Sequence, residues 1–230
     1  MAGARVIIVE STLELASRAA ELFVSTAAES VGNRGVFLAA LSGGSTPRQA
    51  HRLLASPALS GAVPWERTHL FWVDERCVSV ENPLSNFGCA RGDFLKDVPV
   101  PAANLHRVPG EVGAEAGAEE YRKEMTRFFD LEAGTFPCFD LVFLGLGADG
   151  HTASLFPGDA ALREEKSPAA AVRGVSFDID RVTMTLPVLN AARRVAFLVA
   201  GRQKAEALKR VLSEESPPLP AAMVKPLGGE

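Results

Sequence analysis

Four segments of the chain combine glycines with charged or titratable side chains at spacings suited to chemistry. The richest is Asp140-Leu-Val-Phe-Leu-Gly145-Leu-Gly147-Ala-Asp149-Gly150-His151-Thr-Ala-Ser-Leu-Phe-Pro157. It places a carboxylate and an imidazole two residues apart in a glycine-rich loop at the carboxyl end of an apolar run. Open α/β sheets bind ligands at that end of their strands, and an imidazole there suits a general base. The plainer alternative is that His151 caps or packs, and spacing alone leaves both open. The segment also spells Gly-x-Gly-x-x-Gly, the dinucleotide pattern. Against that stand Pro157, which limits the helix needed under a pyrophosphate, and the lack of a strand ending in an acidic residue about 20 residues on.

The second segment, Leu41-Ser42-Gly43-Gly44-Ser45-Thr46-Pro47-Arg48-Gln49, follows another apolar run. Thr46 as N-cap, Pro47 in the first helical position and Gln49 three residues after the cap predict a helix start. Glycines before a helix amino terminus let backbone N–H groups approach an anion, so a phosphate fits Gly43, Gly44 and Ser45; an ordinary strand-to-helix turn fits them too. The third is Trp72-Val-Asp74-Glu75-Arg76, followed by Asn82-Pro83-Leu84-Ser85-Asn86-Phe87-Gly88. Arg76 at a strand's end could fork onto a phosphate, held by Asp74 or Glu75, or form a surface ion pair. In the fourth, Val199-Ala-Gly201-Arg202-Gln203-Lys204, a lysine in a helix's first turn opposes the helix dipole unless an anion lies near; a solvated lysine is the alternative.

The elements that must position these segments are short β-branched runs alternating with longer helical patterns. This predicts an α/β fold with a mostly parallel, Rossmann-like sheet and helices on both faces, in a single domain over residues 1–230. Strands are expected at Arg5–Glu10, Val36–Leu41, His69–Asp74, Leu105–Val108, Asp140–Gly145, Arg181–Leu186 and Val195–Ala200, and helices at Leu13–Val31, Ala114–Leu131 and Arg202–Leu212. Pro99–Gly113 and Pro157–Gly174 read as surface connections.

Composition limits the partners. Lys and Arg number 24 against 28 Asp and Glu, a net charge of −4, so there is no basic field for nucleic acid. No apolar run of about 18 residues marks a membrane span, and the amino terminus turns polar too soon for a signal peptide to be expected. Cys77, Cys89 and Cys138 form neither a disulfide framework nor a Cys-x-x-Cys pair, which fits a reducing, cytoplasmic setting. His51, His69, His106 and His151 show no ligand spacing, so no metal and no other cofactor is expected. The absence of Gly-x-Ser-x-Gly favours direct attack by water over a covalent serine intermediate.

Taken in order, the four segments resemble the glucosamine-6-phosphate isomerase/6-phosphogluconolactonase family, with the likeness running from Leu41 to Pro226. Within it the deaminases typically follow the histidine with Ile-Ala-Phe-Asn-Glu-Pro. Here Thr152-Ala153-Ser154-Leu155-Phe156-Pro157 follows, and Arg181-Val-Thr-Met-Thr-Leu-Pro187-Val-Leu-Asn190 also looks like the lactonase pattern. The resemblance implies hydrolysis of 6-phospho-D-glucono-1,5-lactone in the pentose phosphate pathway, without a metal. His151 would be the general base and Asp149 its neighbour; Gly43, Gly44, Ser45, Arg76 and Lys204 would bind phosphate, with Asn86 and Arg181 as further contacts. The expected partner is a small sugar phosphate lactone, and the expected assembly a monomer or small homo-oligomer. A glucosamine-6-phosphate deaminase-like enzyme and a non-enzymatic sugar-phosphate-binding module are the rival readings.

Overall fold

The computed structural model describes residues 5–174, 179–213 and 215–226. Its strands are β1 (Phe37–Leu41), β2 (Thr68–Trp72), β3 (Asp74–Arg76), β4 (Leu105–His106), β5 (Leu141–Leu144), β6 (Ala169–Val172), β7 (Arg181–Met184) and β8 (Val195–Phe197). The α-helices are α1 (Thr12–Arg34), α2 (Ser45–Leu54), α3 (Asn86–Ala90), α4 (Ala114–Phe129), α5 (Leu186–Ala191) and α6 (Ala205–Leu212).

Helix α1 shows why these residues fold locally as they do. The Ser11 side chain accepts the Glu14 N–H, Gly35 ends the helix in the left-handed region, and Ala16, Ala19, Ala20, Phe23 and Ala27 form one buried stripe at helical spacing. That stripe faces a core containing Phe37, Phe71, Phe94, Phe139, Phe143 and Trp72, all at most 1% exposed. Full burial of each such side chain contributes roughly 1.5–3 kcal/mol.

Five strands form a parallel sheet in the order β4-β2-β1-β5-β8. The chain moves from β1 to β2 and β4 on one side, then returns to β5 and β8 on the other, so the order reverses between β1 and β5. Their carboxyl ends are tied together there by the Ser42 hydroxyl, which donates to the Phe143 carbonyl at 2.7 Å. Such a reversal opens a crevice for ligands.

A second, antiparallel sheet has the order β3-β7-β6. Only Val73 separates β2 from β3, and its peptide serves both sheets: its N–H donates to Leu41 O at 3.0 Å and its carbonyl accepts Met184 N–H at 2.7 Å. Helix α4 packs on β6 and β7, and its Tyr121 hydroxyl donates to Trp72 O at 2.8 Å and accepts Trp72 N–H at 3.1 Å. A smaller apolar cluster of Leu146, Ala207, Val211, Leu219, Ala221 and Ala222 closes α6 over the loop after β5.

The mostly parallel α/β sheet matches the expectation, and several details correct it. Arg5–Glu10 pairs with no strand among the described residues, despite its β-branched run; Val6, Ile7 and Ile8 are exposed. The strand expected at His69–Asp74 divides at Val73 between two sheets. Arg181–Leu186 stops at Met184 and lies in the antiparallel sheet, with α5 following it. The connection expected at Pro157–Gly174 contains β6, whose Ala-Ala-Ala-Val sequence carries little strand signal. Helix α2 is capped by Gly44, with Thr46 inside it. No helix among the described residues is long and apolar enough to cross a membrane.

Candidate active site

A cavity of about 150 Å³ opens at the reversal point between β1 and β5. Its lining includes Gly43, Gly44 and Ser45 after β1, Asp74 and Arg76 on β3, Asn86 on α3, His151 after β5, Arg181 on β7, and Lys204 before α6. Of the residues expected from sequence, all but Asp149 line this one cavity. Asp149 lies beside it, with its Oδ1 2.6 Å from His151 Nδ1 and 3.1 Å from His151 N.

The loop geometry fixes this pair. Gly147 N–H donates to His151 O at 2.8 Å and Gly150 N–H to Gly147 O at 3.0 Å, folding the loop back on itself. The imidazole packs so closely on Gly147 that a Cβ there would lie 2.1 Å from His151 Nδ1, so no larger residue fits. Phe156 covers the ring at 4.5 Å between centroids. Burial pushes the Asp149 carboxyl up, but the His151 amide and ring outweigh it and hold the group below the usual carboxylate range. A carboxylate accepting from Nδ1–H leaves Nε2 as the basic nitrogen of a neutral imidazole. Ala153, the next cavity-lining residue, has a left-handed φ of 50°, a conformation uncommon without glycine and enriched at functional loops.

At the cationic side, Arg76 and Arg181 stand directly opposite each other in the β3–β7 ladder. Like charges in that position repel unless an anion lies between or beside them. Arg76 Nη1 donates to Leu84 O at 2.6 Å, so the loop carbonyl holds it, rather than Asp74 or Glu75 as the sequence suggested. The Nε of Arg76 and that of Arg181 are buried without a partner among the described residues. Buried N–H donors are rarely left so, and here both belong to residues that line one cavity. Burial pulls the Lys204 ammonium below its ordinary range. Burial also lowers Arg181, against the opposing pull of Asp74. Lys204 sits at the end of a 3-10 turn, Arg202–Lys204, and caps α6 instead of lying inside its first turn.

Asn86 is less free than expected. Its Nδ2 donates to Asp74 O at 2.9 Å and Asp74 Oδ1 at 3.2 Å, and its Oδ1 lies where a Cβ on Gly43 would be, 1.8 Å from that point. It is a strut between the β1 loop and β3. Glu75 sets that strut: buried, it accepts Asn86 N–H at 2.7 Å, Phe87 N–H at 2.8 Å and the Ser85 hydroxyl at 3.0 Å, capping α3. Burial raises the Glu75 carboxyl while those backbone donors oppose the rise.

Asp74 is a charged cavity residue that sequence reasoning did not single out as a ligand. Its Oδ2 accepts the Ser154 hydroxyl at 2.6 Å and lies 3.9 Å from Arg181 Nη1. No spacing signal could have joined residues 74, 154 and 181, because three different segments meet only through the second sheet.

Residues 10–230 match the family described as glucosamine-6-phosphate isomerases/6-phosphogluconolactonase. A 6-phosphogluconolactonase of Synechocystis is 42% identical over 217 residues, spanning 93% of this chain and 88% of its own length. The human 6-phosphogluconolactonase is 39% identical over 227 residues, spanning 97% of this chain and 87% of its own. A solved 6-phosphogluconolactonase structure from Trypanosoma brucei superposes with a TM-score of 0.87 at 26% identity, covering 97% of this chain and 92% of that one. The chain belongs to the glucosamine-6-phosphate isomerase/6-phosphogluconolactonase family.

Proposed function

We propose that the chain hydrolyses 6-phospho-D-glucono-1,5-lactone to 6-phosphogluconate, the lactone-opening step of the pentose phosphate pathway, with His151 as general base and the cations opposite it as the phosphate grip. The observation that carries this reading is the meeting, in one cavity, of a carboxylate-oriented imidazole with two arginines whose buried Nε–H groups have no protein partner among the described residues. The close relatives carry the same activity in their names.

In this reading His151 Nε2 takes a proton from a water as its oxygen attacks the lactone carbonyl. The resulting tetrahedral centre collapses by breaking the bond to the ring oxygen, and that oxygen receives the proton from the imidazolium. One water is consumed, the carboxylic acid formed loses its proton to solvent to give the carboxylate, and the histidine returns neutral. Asp149 holds the tautomer and stabilises the transient positive charge. Arg76, Arg181, Lys204 and the N–H groups at the start of α2 hold the phosphate, so binding at the remote end orients the carbonyl. Asn86 serves as a strut for this end. Residues 1–230 act as one unit, and the three free cysteines suit a cytoplasmic enzyme.

The test is the rate on freshly made 6-phosphogluconolactone, corrected for spontaneous opening. Enzyme-dependent acid release supports the reading. Ammonia release from glucosamine 6-phosphate, without lactone opening, would replace it with the deaminase.

A further inference from the structure

An anion-binding cavity gains nothing from a carboxylate, which repels a phosphate. Yet Asp74 lines this one, the sole acidic residue among the residues doing so, and it is 6% exposed. Its orientation is fixed from two sides. Ser154, itself fully buried and outside the cavity lining, donates to Oδ2 at 2.6 Å, and Asn86 Nδ2 donates to Oδ1 at 3.2 Å. Arg181 Nη1, at 3.9 Å, balances the charge from beyond hydrogen-bond distance. Each carboxylate oxygen accepts two hydrogen bonds, so each retains one unfilled position.

No other lining side chain supplies a charged acceptor. Arg76, Arg181 and Lys204 only donate, Asn86 Oδ1 is packed on Gly43, and the remaining acceptors of the lining, the hydroxyls of Ser42, Ser45 and Thr46 and the His151 ring, carry no negative charge to strengthen the bond. A polyhydroxylated lactone brings several O–H donors into this cavity, and a buried hydroxyl without an acceptor is destabilised. We propose that Asp74 reads the ring hydroxyls of the substrate, accepting hydrogen bonds from them at its two free positions, and thereby selects a hydroxylated phospholactone over a deoxygenated one. The proposal rests on the lactonase reading above. It explains why the carboxylate is both buried and pre-oriented at a site whose remaining charges are positive.

The experiment measures kcat/KM for the 2-, 3- and 4-deoxy analogues of 6-phosphogluconolactone beside the parent, with wild type and Asp74→Asn. Wild type should hydrolyse at least one deoxy analogue about 10- to 100-fold less efficiently, the size of a lost hydrogen bond to a charged acceptor. Asp74→Asn should lower the parent by a similar factor while leaving that analogue within about threefold of its wild-type value, since the lost partners are the same pair. Equal loss on all four lactones would mean that Asp74 only holds Asn86, Ser154 and Arg181, and the proposal would fall. Should Asp74→Asn not fold, as judged by circular dichroism, wild type alone decides: equal efficiency on all four lactones overturns hydroxyl reading. No enzymatic hydrolysis of any phospholactone removes the parent reading and this one together, whereas activity on the parent without discrimination removes this one alone.

Discussion

The two ends of the parallel sheet both bury charge, and they treat it differently. At the amino ends, Asp140 is 3% exposed and fully engaged: Arg34 Nη2 lies at 2.6 Å, Arg193 Nε at 3.3 Å, and Leu38 N–H donates at 2.9 Å. That cluster ties α1, β1 and the approaches to β5 and β8 together. At the carboxyl ends, Arg76 and Arg181 face each other across a ladder with their Nε–H groups buried and unpartnered among the described residues. A cluster that only holds the fold satisfies its members, because an unpaired buried donor costs about 1–3 kcal/mol. Donors left unsatisfied beside an imidazole and a cavity therefore support the proposal that this end receives the ligand.

Three changes would break or sharpen this contrast. The largest effect belongs to His151→Ala, which should lower turnover about 10²- to 10⁴-fold, the usual contribution of a general base, with little change in thermal midpoint. Steady-state kinetics and calorimetry on the same sample check both halves; near wild-type turnover in a folded variant would falsify the assignment. Asp140→Ala should do the reverse. It leaves Arg34, Arg193 and the Leu38 N–H without their acceptor and should cost about 2–3 kcal/mol in urea unfolding, moderated because both arginines reach solvent. Its kcat per folded molecule should stay within about twofold.

The smallest effect concerns a third buried polar group, on α2 and outside the cavity lining. His51 is 2% exposed with neither ring nitrogen partnered among the described residues, and its ring lies tilted on Phe94 at 5.2 Å between centroids. Burial pushes it down to about 4 from an unfolded value near 6.5. The unfolded chain therefore binds the proton first, so this group's stabilising contribution is complete above pH 6.5 and declines as pH falls toward 4. Urea midpoints across that window should drop in wild type and less steeply in His51→Leu. An identical slope in both would assign the acid sensitivity elsewhere.

The contrast also explains what was legible beforehand. Gly147, Asp149 and His151 act within a few residues of one another, so the loop that orients the proposed general base is written locally. The same holds for the Gly43-Gly44-Ser45 turn, although the cap falls on Gly44 because the helix begins one residue before the threonine that looked like its cap. The antiparallel sheet was hidden for physical reasons. The apolar run through Trp72 and Val73 continues unbroken where the backbone changes sheets, and β6 is mostly alanine. Without that sheet the opposition of Arg76 to Arg181, and the approach of Ser154 and Arg181 to Asp74, cannot be seen, since those partners lie 80 or more residues apart in the chain. Arg5–Glu10 shows the converse: strand propensity without a ladder partner leaves an extended, exposed segment.

The most direct test of the division between a reacting end and a phosphate-holding end uses two lactones that differ only in the phosphate. Arg76→Ala and Lys204→Ala should each lower kcat/KM for 6-phosphogluconolactone by about 1.5–3 kcal/mol, the worth of a charge-assisted contact, while changing the value for unphosphorylated gluconolactone by less than about 0.5 kcal/mol. His151→Ala, measured alongside, should lower both lactones by a similar factor. Equal losses on the two lactones in Arg76→Ala and Lys204→Ala would contradict the account, because the cations would then serve the carbonyl or the fold and not the phosphate.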